Sequence, residues 1–94
     1  MPRAIWNQAL LAESDDIITV EGELYFPLES VNGRYLRNSS STSRCPRKGQ
    51  AFFYDVIVEG AVNRDAAWYY LDPETGYEQL KNRIAFWKGV EFLS

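Results

Sequence analysis

Alternation along one segment constrains this chain more than any other feature. From Gln50 to Glu59, Phe52, Tyr54, Val56 and Val58 fall on one side of an extended backbone. Phe53, Asp55, Ile57 and Glu59 fall on the other. A period of two predicts a strand with one dry face and one half-wetted face. Other segments follow the same period. Ile17–Glu21 is β-branched, Gly22 punctuates it, and Leu24–Phe26 pairs back as a hairpin that Pro27 ends. Ile5-Trp6 and Ala9–Ala12 flank a turn at Asn7-Gln8, where Gln8 is a poorer second residue than Gly and argues for a longer loop. Ala66–Leu71 is aromatic enough to be buried on both sides, and Val90–Phe92 closes the chain in extended form.

Only two stretches depart from this pattern. Leu28–Val31 suggests one helical turn, followed by a short strand at Tyr35–Arg37 and a polar loop at Asn38–Ser43. Further on, Asp72 stands as an N-cap, Pro73 as the first helical residue and Glu74 in the first turn. Tyr77, Leu80 and Ile84 then recur at helical spacing, which predicts a short helix over 73–83. Gly76 weakens that helix by about 1 kcal/mol relative to Ala. The expected fold is therefore mainly β. It is a small compact antiparallel sheet or barrel-like domain, single over residues 1–94, with one short helix in its C-terminal half.

The core must come from apolar burial alone. One cysteine, Cys45, cannot form an internal disulfide. Three Trp, six Tyr and five Phe supply bulky pieces that bury about 150–250 Å² each. The absence of histidine excludes the common His/Cys metal site and any His-based general base or triad within one chain. Carboxylates, Lys, Tyr and Cys45 remain as candidate chemical groups, and no metal or cofactor is expected. The formal charge of −3 argues against nucleic acid as a partner. The longest apolar run, Ala66–Leu71, falls far short of the roughly 20 residues that span a bilayer. A lone thiol with no secretory leader reads as cytoplasmic. A homo-oligomer stays open.

Eight strings occur here in a familiar order. They are Ala4–Asn7, Leu11–Ser14, Val20–Gly22, Tyr25–Pro27, Cys45–Gly49, Tyr54–Val56, Ala66–Tyr70 and Ala85–Glu91. Together they resemble the domain-of-unknown-function 427 family, also labelled nucleotidyltransferase-domain-like, over nearly the whole chain. The resemblance implies a compact antiparallel β fold with little helix, and it implies no settled activity. Nucleotidyltransfer would need paired carboxylates on metal ions beside a phosphate loop, and no Gly-rich phosphate loop follows a strand. Two residues depart from the family pattern. Arg47 stands where an aromatic residue is usual, and Gln8 where Gly is usual.

Charge is unevenly placed. From Ser30 to Tyr54, Arg34, Arg37, Arg44, Arg47 and Lys48 occur with no acid among them. Cys45–Gly49 is the sharpest local signal. Neighbouring cations would stabilise a thiolate at Cys45, and Gly49 permits a close backbone approach. In the functional reading Lys48 holds a small anion, Arg44 or Arg47 assists, and Trp68 and Tyr70 form an apolar wall. Tyr25, Tyr54 and Trp87 are further candidates to line that pocket. The competing reading is a solvated loop with a buried Cys45 and aromatics spent on the core. Glu21 and Asp55 are carboxylates in strand patterns that could act as a general base if buried, or pair with nearby cations. The reading favoured is a small cytosolic β domain binding a small anionic ligand beside Cys45–Gly49. Alternatives are an interaction or regulatory module without chemistry, and an enzyme acting on nucleotides through Glu21 or Asp55 with Lys48.

Overall fold

A computed structural model describes residues 1–94. Nine strands make two antiparallel sheets. They are β1 (Arg3–Trp6), β2 (Ala9–Glu13), β3 (Ile18–Val20), β4 (Glu23–Pro27), β5 (Leu36–Cys45), β6 (Gly49–Val58), β7 (Ala61–Tyr70), β8 (Arg83–Phe86) and β9 (Glu91–Leu93). The smaller sheet runs β2-β1-β9 and the larger β3-β4-β8-β7-β6-β5. Tight turns fix the hairpins. Asn7-Gln8, Glu21-Gly22 and Glu59-Gly60 each hold positive φ at both central residues, which matches the right-handed twist of the flanking strands. The first turn is two residues long even with Gln8 in place of glycine. No helix is long and apolar enough to cross a membrane.

Register explains the two apolar clusters. Across the larger sheet, Ile18 pairs with Tyr25, Tyr25 with Ala85, Ala85 with Trp68 and Trp68 with Phe53. Directly opposed residues share a face, so these five side chains form one transverse row. With Ala51, Tyr70 and Leu80 they build the cluster on the concave face. The other face carries Phe26, Ile84, Phe86, Ala67, Val56 and Val58. It packs against Ala4, Leu11, Ala12 and Val90, of which Ala4, Leu11 and Ala12 lie on strands of the smaller sheet. The expected dry face of β6 holds for Tyr54, Val56 and Val58, with Val56 wholly buried. The other face is half-wet as expected at Phe53, Ile57 and Glu59, while Asp55 is buried and Ala51 and Phe53 join the second cluster.

Two expectations are corrected. First, no α-helix spans 73–83; only one 3-10 turn forms, at Glu78–Leu80. The Glu74 N–H donates to the Lys48 carbonyl at 2.9 Å, and Gly76 at φ +96° reverses the chain. Leu80 and Ile84 then enter different clusters and cannot form one stripe. Second, Asn38–Ser43 is part of β5, not a free loop. The ladder skips Ser39–Ser41, and the Ser39 and Ser41 hydroxyls donate to the Asp65 carboxylate. Asp55 is 5% exposed and pairs with Arg37, one of the roles expected of it, and it does not line a cavity with the basic loop. It sits at a bulge where β6 and β7 lose register. There it accepts the Asp65 N–H at 2.9 Å and an Arg37 N–H at 3.1 Å.

The larger sheet is barrel-like without being closed by a ladder. Three strand spacings separate β4 from β6, about 14 Å in a flat sheet. Yet Glu21, at the β3–β4 turn, lies 2.8 Å from Lys48, at the β5–β6 turn. Sheet curl and the long Lys48 side chain together bring the two ends over the concave face.

Candidate functional site

A cavity of about 270 Å³ opens under that ion pair. Trp68 and Tyr70 on β7, Phe53 on β6 and Tyr25 on β4 wall it, with Trp87 just after β8. Tyr25 and Trp68 are neighbours across the small Ala85 and meet edge to face, with centroids 6.2 Å apart at 87°. Trp68 meets Trp87 in the same way at 5.8 Å and 79°. Ala51 lies at its base, and Glu21, Glu23, Ser43 and Lys48 complete the lining. Burial pushes the Tyr25 phenol far above its usual pKa. Burial also raises Tyr70, against the opposing effect of the Lys48 charge.

Of the residues singled out in the sequence, Glu21, Tyr25, Lys48, Trp68, Tyr70 and Trp87 come together here. Arg44, Arg47, Cys45 and Tyr54 do not line the cavity. Tyr54 alternates with Phe53 on β6, so it faces the opposite way and stacks on Tyr69 at 5.2 Å. Glu23, Ala51, Phe53 and Ser43 were missed. Glu23 was open to detection, since it shares the two-residue spacing of Glu21 and Tyr25.

Ion pairing changes the meaning of the basic segment. Arg37 pairs with Asp55, Arg44 with Glu74, and both Arg47 and Lys48 with Glu21. Lys48 is only 8% exposed, and the hydrogen bond to Glu21 raises its pKa. The same bond is the largest cause holding Glu21 below the usual carboxylate range. Glu21 is thus an ionised acceptor and a weak general base. Arg47 grips both Glu21 oxygens, at 2.9 and 3.1 Å. Gly49, at φ +113°, admits the Asp72 carbonyl so closely that a Cβ there would lie 3.3 Å from it. The loop therefore latches residues 72–74 to the sheet. Cys45 is partly exposed, and the backbone N–H groups of Lys48 and then Arg47 lower its thiol pKa.

Acid weakens this arrangement. Glu21 is depressed mainly by Lys48, and Asp65 by Ser39 and then Ser41. A carboxylate with a depressed folded pKa stabilises the fold above its unfolded value, and that stability is lost as pH falls through the folded value. Those unfolded values are 4.5 and 3.8. The urea midpoint is expected to hold above about pH 5 and to fall steadily below it. In Glu21→Gln the decline should be shallower. An unchanged profile in that variant would show that the pair contributes nothing.

The chain matches the family model described as Domain of unknown function (DUF427), over residues 2–92. The match covers nearly the whole chain, so the chain belongs to that family. No curated protein matches it.

Proposed function

From membership of that family of unsettled activity, we propose that the protein is a small-ligand binding module whose site is the aromatic cavity of the curled sheet. One observation carries this reading. Five aromatic side chains from four segments converge on one opening and are ringed by polar groups. Ligand sites are concave and largely apolar, with few polar groups to set orientation. The volume is at the small end of such sites, which start near 300 Å³, and suits a head group or small metabolite. Glu21 and Glu23 offset the charges of Lys48 and Arg47 around the opening, so the small anion expected from the sequence is not carried forward. We place the module in the cytosol, where Cys45 would stay a free thiol.

Fragment titration followed by NMR tests the reading. Bound fragments should move the side-chain signals of Tyr25, Trp68 and Trp87 together. Trp87→Ala removes an exposed wall and should weaken binding about tenfold, the equivalent of about 1.4 kcal/mol. Fragments that perturb only other surfaces, or none that bind, would overturn the proposal.

A further inference from the structure

The lining of the cavity carries two carboxylates against one ammonium, and that ammonium is already bound. Lys48 Nζ donates to Glu21 at 2.8 Å. Glu23 makes no ion pair and no side-chain hydrogen bond, although it lines the same opening. Tyr25 meets Trp68 edge to face, Trp68 meets Trp87 in the same way, and all three rings line the opening. Ring faces carry the negative side of the aromatic quadrupole and attract cations, most strongly for Trp. One of these rings already does so: Lys88 Nζ lies 5.2 Å from the Trp87 ring centre.

We propose that the cavity takes an organic ammonium, and specifically a methylated one, held by the aromatic walls with Glu23 as its counter-charge. The inference rests on the ligand-binding reading above and adds the ligand's chemistry to it. A methylated ammonium fits because its charge is spread over methyl groups that cannot donate hydrogen bonds. It meets rings favourably and asks for no donor or acceptor in the depth of the site. A primary ammonium is a compact, strongly hydrated charge that loses more on leaving water for ring faces. An inorganic anion would meet the Glu23 carboxylate, and near Lys48 it would also meet Glu21. The same head group occurs on free quaternary amines and on trimethylated lysine side chains.

The test uses the whole protein, by NMR titration, with choline, tetramethylammonium, 3,3-dimethyl-1-butanol, inorganic phosphate and a short trimethyllysine peptide. Choline should bind about tenfold more tightly than 3,3-dimethyl-1-butanol, its uncharged carbon analogue, with signals moving at Tyr25, Trp68 and Trp87. Glu23→Gln should weaken choline by about threefold or more and leave the uncharged analogue unaffected. Its urea midpoint should stay in place, because Glu23 has no partner to lose. A tighter trimethyllysine peptide would support the inference with a protein side chain as the source, and a tighter choline would support it with a free amine. Equal binding of choline and its carbon analogue, or phosphate binding in the cavity, would overturn the cation and leave the binding module standing. Failure of every probe, and of the fragment panel, would overturn both.

Discussion

Phe26→Ala is expected to destabilise the protein by about 3–5 kcal/mol, the range for deleting a buried phenylalanine. Phe26 has no exposed surface. Its ring meets Phe86 edge to face at 6.0 Å within the larger sheet, and stacks on Phe92 of β9 at 6.3 Å. It therefore joins the two sheets, and its loss leaves a cavity at their interface that rigid strands close only in part. Domains of this size have about 5–15 kcal/mol in total, so the variant would sit near the limit of folding. Guanidinium unfolding measures the effect. Phe26→Leu should recover more than half of the loss, because it restores most of the volume. A loss under about 1 kcal/mol in the alanine variant would mean that the sheets are not locked at this point.

Asp55→Ala should cost about 1–3 kcal/mol, through a different mechanism. The Asp55 carboxylate takes the place of a ladder partner at the bulge, accepting the Asp65 N–H at 2.9 Å. Removing it leaves a half-buried donor without its partner, and that desolvation is the main cost. The Arg37 side chain is 54% exposed, so water replaces its lost bond and Arg37→Ala should cost much less. Asp55→Asn keeps an acceptor oxygen and should retain most of the stability. Hydrogen exchange at the Asp65 amide gives a local readout. It should accelerate strongly in Asp55→Ala and little in Asp55→Asn. Equal protection in all three proteins would show that the bulge is held by the strands alone.

Asp55 also marks the limit of what alternation reveals. The period of two identified β6 and placed Tyr54, Val56 and Val58 on the inter-sheet side. It could not reveal that Arg64–Ala66 on β7 would stand opposite one carboxylate. A bulge depends on the partner strand, which a single segment does not encode. The serines at 39–41 misled for the same reason. Read alone they are loop chemistry, but Asp65 on a distant strand accepts from two of them. The Asp72-Pro73 start signal was correctly formed and still nucleated no helix, since Gly76 turns to φ +96° within the first turn and the Glu74 N–H ties the segment to the Lys48 carbonyl. Local propensity yields to tertiary contacts of this kind.

The candidate site divides along the same line. Aromatic side chains at Tyr25, Trp68 and Tyr70 were legible both as core and as potential walls, and in space they are both, belonging to the second cluster and lining the cavity. The charges were read less well. Arg44, Arg47 and Lys48 made one positive segment in sequence, whereas in space Glu74 and Glu21 neutralise them from other segments.

Residue type and spacing by themselves determined that the chain is mainly β and antiparallel, that no disulfide closes within it, and that no histidine chemistry is open to it. These properties depend on single residues or on neighbours two apart. The tertiary structure alone decided that each face of the larger sheet carries an apolar cluster, that Glu21 rather than solvent or ligand receives Lys48, and that Tyr25, Trp68 and Trp87 meet edge to face in succession. Each depends on strand register and sheet curl, which are set by pairings between segments far apart in the chain.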